Sequence, residues 1–343
     1  MQLHKEIIDL RSDTVTKPCS KMLEAMMSAE VGDDVFNEDP TVKELQNKTA
    51  ELFGMEDALF CTSGTMTNQL AIKAHTQPGE ELICDQNSHI YHYESAGIAF
   101  NSGVQSKLIQ GDRGRITAQQ IEQAINPDQD WLAKTSLVCL ENTVNKAGGS
   151  YYSISELKKI RTICQKHDLK LHLDGARLFN ALVETNESAK SYGKLFDSIS
   201  VCLSKGLGAP VGSLIIGTKS FIKSCRRTRK SFGGNMRQAG YLAAAGIYAL
   251  DHNLNQLKKD NHHASILAET LAKCSFTKNI LPADTNIVIF DLVDRMNYET
   301  FEIKMNSFGI RFSRFGPKTI RFVTHRDFSP EMLEYVCIKL PKI

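Results

Sequence analysis

Leu171-His-Leu-Asp-Gly-Ala-Arg177 and Ser198-Ile-Ser-Val-Cys-Leu-Ser-Lys-Gly-Leu-Gly208 are built on one plan. Each is a short, nearly apolar run that ends on residues able to do chemistry: Asp174 and Arg177 in the first, Lys205 followed by glycines in the second. A strand covered on both faces reads this way, because neither face meets water and no polar alternation is needed. Further runs of the kind stand at Ala58–Cys61, Leu82–Cys84, Ser136–Leu140 and Ser213–Ile216. Between Leu140 and Leu171, the spacing of Ile154, Leu157, Ile160 and Ile163/Cys164 predicts an amphipathic helix over 154–167. Apolar strands alternating with helices predict an α/β fold with a mostly parallel, two-sided sheet.

Upstream, Ile7 to Pro18 reads as an extended arm. Asp39-Pro40 then offers an N-cap and an N1 proline to a helix through Val42, Leu45 and Leu52, which Gly54 stops. After about Leu250 the pattern changes to a helix around Leu254–Leu271, an apolar strand at Asn286–Asp291 and a helix near Glu299–Asn306. Two short strands (Gly309–Arg314 and Ile320–Thr324) and a last helix after Pro330 follow. The expected division is an arm and first segment (1–44) packing with the small domain or a partner subunit, a large domain (45–250) and a small α+β domain (251–343).

Bulk properties narrow the function classes. The chain of 343 residues is long enough for both cores. A net charge of +2 and the lack of a long basic run give no reason to expect a nucleic acid. The densest cluster, Arg226-Arg227-Thr-Arg-Lys230, reads by itself as a solvated helix face. Nine cysteines, an odd number with no Cys-x-x-Cys pair, argue against a zinc ribbon or a secreted disulfide framework. Cys61, Cys139 and Cys202 lie in apolar runs and read as small core residues. Met1-Gln-Leu-His-Lys-Glu lacks the apolar core of a signal peptide, and no stretch could span a bilayer. A soluble, cytoplasmic protein is expected.

Three constellations carry chemistry, each with a plainer reading beside it. Cys61-Thr-Ser-Gly-Thr-Met-Thr-Asn68 joins a strand to a helix, where glycine lets an anion approach free amides and hydroxyls. It reads either as a phosphate cradle or as a capped turn, and it is no nucleotide motif. Asp174, at the carboxyl end of its strand, stands where open sheets bind ligands. It could hold a cofactor's pyridine nitrogen protonated, or form a structural ion pair with Arg177. Lys205, directly after a buried strand and before Gly206, Gly208, Pro210 and Gly212, either forms a Schiff base or snorkels from the strand end. Their order is more informative than any one: phosphate turn, strand-end acid, strand-end lysine, each from a different strand of one sheet.

Nearly end to end, the chain resembles the threonine aldolases, pyridoxal-phosphate enzymes of the aspartate-aminotransferase-like fold (fold type I). The resemblance rests on Ile8-Asp-Leu-Arg-Ser-Asp-Thr-Val-Thr16, Val31-Gly-Asp-Asp-Val35 with Asp39-Pro-Thr-Val42, Ser63-Gly-Thr-Met66 and Ser88-His89. It continues through Leu140-Glu-Asn-Thr143, His172 to Asn180, Ser204-Lys-Gly-Leu-Gly-Ala-Pro-Val-Gly212, Gly233-Gly234 with Met236-Arg-Gln-Ala-Gly240, and Arg321-Phe-Val-Thr-His325. It implies a three-layer, transferase-like large domain with a small C-terminal domain, and pyridoxal 5'-phosphate as cofactor. Lys205 would bind that cofactor covalently, Asp174 would face its ring nitrogen, and Ser63, Gly64 and Thr65 would hold the phosphate. His89 would lie over the ring and serve as a base. Ser12, Arg177 and Arg321 would bind the substrate carboxylate. Lys230 and Arg237 resemble residues that reach a neighbouring subunit's phosphate, which turns the basic cluster from a solvated face into an interface. Homodimers or homotetramers with active sites at the interface follow from the same resemblance. The implied reaction is cleavage of threonine, allo-threonine or a related β-hydroxy amino acid to glycine and an aldehyde.

Three positions depart from the family pattern. Val144 replaces a histidine in Glu141-Asn-Thr-Val-Asn145, Trp131 aligns with a histidine that contacts the β-hydroxyl, and Phe36 replaces a tyrosine. Each removes a polar group from or near the expected side-chain pocket. A shift to β-elimination, releasing ammonia and a keto acid, is the alternative reaction. A non-catalytic relative is the third reading, against which the joint presence of Lys205, Asp174, His89, Arg177 and Arg321 argues. No His/Asp/Glu cluster has convincing ligand spacing, so no catalytic metal is expected.

Overall fold

The computed structural model describes residues 7–343, and the reading of Met1–Glu6 lies outside the described residues. Seven strands form the main sheet: β1 (Asp57–Cys61), β2 (Glu81–Asp85), β3 (Gln105–Ile109), β4 (Thr135–Glu141), β5 (Lys170–Gly175), β6 (Ser198–Cys202) and β7 (Ser213–Gly217). Their order is β1-β7-β6-β5-β4-β2-β3. Every pair is parallel except the two made by β7, which runs against β1 and β6. This is the mostly parallel α/β sheet that the apolar runs predict. Strand β3 is an addition to them. At the sheet edge it has one neighbour and the half-solvated sequence Gln-Ser-Lys-Leu-Ile, so no apolar run marks it.

Helices cover both faces. Ahead of the sheet come α1 (Ser20–Met27) and α2 (Pro40–Phe53). Asp39 caps α2 by accepting the Val42 amide hydrogen at 2.9 Å, and Gly54, at φ +63°, closes it in the left-handed region. Next are α3 (Gly64–His75) and α4 (Ile154–Lys166), the latter opened by a reciprocal Ser153/Glu156 capping box. Then come α5 (Lys219–Ser231), α6 (Gly240–His252) and α7 (Gln256–Ala272). Neighbouring strand residues alternate between two cores. Leu59, Cys61 and Ile215 pack with Leu70 of α3 and Cys225 of α5, whereas Phe60, Leu214 and Ile216 pack with Leu45, Leu157 and Ala243 of α2, α4 and α6. The result is three layers.

Beyond α7, an antiparallel sheet runs Ser313–Arg314, β9 (Thr319–Val323), β8 (Ile287–Leu292) and Thr277–Lys278. Its core contains Leu267, Phe290, Phe301 and Phe322, together with Ile8 and Leu10 from the start of the chain. The single strand expected over Gly309–Arg314 is two. Ile310–Arg311 pairs parallel with Ile8–Asp9, while Ser313–Arg314 pairs antiparallel with Arg321 and Ile320. One extended run thus serves two sheets and must turn between them. No helix among the described residues is long and apolar enough to cross a membrane.

Candidate active site

The carboxyl ends of β1, β4, β5 and β6 share one edge, with Glu141 opposite Asp174 and Asp174 opposite Ser200. That geometry brings six of the expected residues together. Ser63, Gly64, Thr65, His89, Asp174 and Lys205 line one cavity of ≈ 160 Å³, beside Asn68, Ala176, Cys202 and Ser204. Ser63 opens α3, and its Oγ accepts the Met66 amide hydrogen at 3.2 Å. The first amides of α3 lack helical partners and face outward with the positive end of the helix dipole. A Cβ on Gly64 would come within 2.7 Å of Cys202 Sγ, so the turn is close-packed from behind. Lys205 follows β6 by three residues, and its carbonyl accepts from Thr16 Oγ1 at 2.9 Å and from the Gly208 amide at 2.8 Å.

Around Asp174 and His89 lies a buried polar network that local sequence patterns do not announce. Asn68 Nδ2 donates to Asp174 Oδ2 and to Glu94 Oε1, both at 2.9 Å. Glu94 also accepts from Gln69 Nε2 at 2.7 Å and lies 3.0 Å from His89 Nδ1. Burial works against a charged His89. The hydrogen bond to Glu94 and the charges of Asp174 and Glu141 outweigh it, so the imidazole is held above the ordinary histidine value. Glu141 accepts the His89 and Asn145 amide hydrogens, at 2.7 and 2.8 Å. Burial, with Asp174 adding like charge, pushes its carboxyl up to about 7. The ligand atoms of His89, Glu94 and Asp174 lie within 4.8 Å of one another. His89 and Glu94 stand five residues apart between β2 and β3, and only the fold brings Asp174 to them. The Asn68 amide donates one hydrogen to each of the two carboxylates.

A second subsite adjoins the first. Arg177, one residue past Ala176, is buried and gives Nε and Nη2 to Asp13, both at 2.7 Å. Its Nη1 points at Asn145 Oδ1, 3.5 Å away, and Arg321 Nη1 donates to the same oxygen at 2.7 Å. Arg321 Nη2 donates to the Arg11 carbonyl, and its buried Nε has no partner. Burial, followed by the charge of Arg177, brings Arg321 down to about 10. Two guanidinium groups sharing one neutral oxygen form a site short of negative charge. Ser12 caps the turn at Asp13–Val15, accepting the Thr14 amide hydrogen at 3.3 Å. Asp13, Asn68 and Asn145 stand in runs that the sequence marks (Ile8–Thr16, Cys61–Asn68 and Glu141–Asn145) without any role of their own being assigned to them, and Glu94 lies in none.

Other expected residues stand elsewhere in the chain's own structure. Lys230 is exposed on α5 and lines a separate surface cavity with Asp34, Asp57, Arg226 and Arg227. Arg237 pairs with Asp33 at 2.8 Å on the surface. Within the basic cluster only Arg229 is buried. It donates to Asp34 Oδ2 at 2.7 Å and to the Phe60 carbonyl at 2.6 Å, which a solvated face does not explain. Trp131 does not line the chamber of its own chain. It lies four residues before β4, at the sheet end opposite Glu141, and is 78% exposed. Val144 is buried against Gly114, and Phe36 is exposed.

Comparison with known proteins adds three findings. A family model described as beta-eliminating lyase matches residues 9–295. The chain is 40% identical over 335 residues to low-specificity L-threonine aldolase 1 of Arabidopsis thaliana, covering 96% of this chain and 94% of that one. It is 41% identical over 331 residues to the low specificity L-threonine aldolase of Escherichia coli (strain K12), covering 96% and 97%. Among solved structures, Leishmania major threonine aldolase matches the fold with a TM-score of 0.84, at 23% identity and over 97% and 98% of the two chains.

Proposed function

The chain belongs to the threonine aldolases of the beta-eliminating lyase family, and on that premise we propose that it binds pyridoxal phosphate at Lys205 and cleaves β-hydroxy-α-amino acids to glycine and an aldehyde. The observation that carries this reading is the pair Arg177 and Arg321, two cations with the single carboxylate of Asp13 on Arg177 and a neutral oxygen between them, beside a chamber that holds Lys205, Asp174 and His89. An amino acid's carboxylate supplies what that subsite lacks.

The residues present fit the cofactor. The open amides of α3, with Ser63 and Thr65, suit a phosphate, Asp174 suits a pyridinium nitrogen, and Lys205 suits an aldehyde. When bound, pyridoxal phosphate supplies an electron sink for the pair released as the Cα–Cβ bond breaks. The remaining work falls to the chain. Arg177 and Arg321 fix the substrate carboxylate and thereby the direction of the Cα–Cβ bond, a positioning effect worth several kcal/mol of barrier. His89, with Nδ1 bound to Glu94, has Nε2 left to take the proton of the β-hydroxyl, and its raised proton affinity favours that transfer.

The phosphate turn is open to solvent in one chain, with Ser63 and Thr65 exposed and Phe100, near them, 89% exposed. A second copy covering this side would exclude water and could bring Lys230 and Arg237 to the phosphate. The active form is accordingly a homodimer or a pair of dimers.

Product analysis tests the reaction. Purified protein with pyridoxal phosphate is offered L-allo-threonine, L-threonine and L-phenylserine in parallel. Glycine and the matching aldehyde are expected from each substrate consumed. Ammonia and a keto acid in their place would overturn the aldol reading in favour of β-elimination. Cofactor retention tests the phosphate turn. Gly64→Ala pushes a methyl against Cys202 Sγ and should weaken pyridoxal phosphate binding by roughly tenfold, about the worth of one charge-assisted hydrogen bond at the low end of its range. Adding Cys202→Ala should recover most of that loss by opening the space behind. Unchanged retention in Gly64→Ala would mean that the turn does not hold the phosphate.

A further inference from the structure

The polar network around Asp174 continues past the chamber into the core. Asn68 and His75 lie two turns apart on one face of α3, over the register partners His172 of β5 and Ser198 of β6. Asn68 Oδ1 is 3.2 Å from His172 Nε2. Ser198 Oγ is 2.8 Å from His172 Nδ1 and also 2.8 Å from His75 Nε2. His172, Ser198, Asn68, Glu94 and Asp174 are all buried, and His75 is half-buried.

The direction of every bond in this row is fixed by its neighbours. Asn68 has one tolerable orientation, because the other would set its amide oxygen against two carboxylates. With Nδ2 donating twice, Oδ1 accepts, so His172 carries its hydrogen on Nε2. Burial brings the pKa of His172 down to about 4 and that of His75 to about 3, so both rings are neutral and each holds one proton. His172 Nδ1 is therefore an acceptor, and Ser198 gives it the single hydroxyl hydrogen. His75 Nε2–H then donates to Ser198. At the other end Glu94 Oε1, already accepting from Asn68, accepts again from His89, which keeps the His89 hydrogen on Nδ1.

We infer that His172 is a positioning residue for this chamber: through the Asn68 amide it sets the facing of the Asp174 and Glu94 carboxylates, and through Glu94 it fixes the hydrogen of His89 on Nδ1. A histidine that merely fills a core site would need a neighbour of the right volume and no particular proton. Here a hydrogen on Nδ1 instead would set an unprotonated nitrogen against Asn68 Oδ1 and push the amide off the geometry in which it serves both carboxylates. The effect on rate rests on the roles proposed for Asp174 and His89; the proton pattern does not.

The test is long-range ¹⁵N–¹H correlation on cofactor-free protein labelled at histidine, for the native chain and two variants. Glutamine places its amide where His172 has Nε2, within reach of Asn68, whereas asparagine reaches only as far as Nδ1. The native spectrum should show His172 and His75 as Nε2–H tautomers and His89 with its hydrogen on Nδ1. His172→Gln should keep the His89 signature, and His172→Asn should lose it. In the loaded enzyme, His172→Asn should lower kcat at least roughly tenfold with KM within about twofold, and His172→Gln should recover most of the rate. A native His172 carrying its hydrogen on Nδ1 would overturn the inference, and that measurement stands even if neither variant folds. So would equal behaviour of the two variants, or an unmoved His89 signal in His172→Asn. Absence of aldol cleavage with the predicted tautomers intact would overturn the proposed reaction and leave the hydrogen-bond chain standing.

Discussion

Lys205→Ala should abolish aldol cleavage, lowering the rate by roughly 10⁴-fold or more, the scale on which covalent catalysts fail when removed. The same protein should lose the visible absorbance of bound pyridoxal phosphate while keeping its fold. Both halves of that expectation follow from how the backbone at Lys205 is held. Its carbonyl is gripped by Thr16 Oγ1 and the Gly208 amide, neither of which touches the side chain. Gly208, at φ +78°, lies where a Cβ would meet Arg326 Nη1 at 2.6 Å, so the turn is shaped by its surroundings. Lys205 itself is half-buried, and the buried Asp13, whose carboxyl its charge helps hold down, keeps both hydrogen bonds to Arg177 when the side chain is truncated. The melting temperature should therefore stay within about 3 °C of the native value. Absorbance spectra, thermal melts and turnover on L-allo-threonine check the three parts together. Activity within tenfold of native would remove Lys205 from the chemistry. A collapsed melting temperature would mean that the residue serves the fold instead.

What could be read from the sequence divides by distance along the chain. Lys205, Asp174 and the Ser63 turn were legible because their signal is local: an apolar run, then a reactive residue or glycine at its carboxyl end, which sheet geometry places at one edge. The residues that complete the site act through partners far away. Asn68 reaches Asp174 across 106 positions, Asp13 reaches Arg177 across 164, and Asn145 reaches Arg321 across 176. No periodicity or spacing rule brings such pairs together; only the closed fold does. Arg229 makes the same point at the surface. Its four neighbours in sequence suggest a charged face, yet it points inward to Asp34, 195 positions away. Trp131 is the converse case. Its sequence position aligns it with a side-chain pocket, whereas within its own chain the direction of β4 places it at the end of the sheet away from the chamber. For β3, edge position removed the apolar signal itself.

Removing one member of the buried pair Asp13–Arg177 should cost more stability than any other single change at the end of the site that holds Arg177 and Arg321. Asp13→Ala is expected to destabilise the protein by about 3–5 kcal/mol at pH 7, the range for removing one member of a buried ion pair. The loss comes from what remains. Arg177 would be left buried beside Arg321 with Asn145 Oδ1, 3.5 Å away, as its remaining side-chain acceptor, and Asn286 Nδ2 would lose one of its two acceptors, keeping the Thr324 carbonyl. Burial alone would raise the Asp13 carboxyl. The charge and hydrogen bonds of Arg177 overcome it and hold the group well below the usual carboxylate range. A pKa depressed by folding contributes stability that is fully present above the unfolded value of about 4 and is lost as pH falls through the folded value. The gap between native and Asp13→Ala in urea unfolding should therefore be constant from pH 5 to 7, to within about 1 kcal/mol, and narrow only below about pH 4. Replacing both partners separates structure from binding. Asp13→Leu with Arg177→Met removes the stranded charge and should restore most of the lost stability, yet it should still raise KM for the amino acid at least roughly tenfold, because the carboxylate loses a guanidinium partner. A paired variant that recovers stability and affinity together would remove Arg177 from substrate binding and leave it a structural arginine.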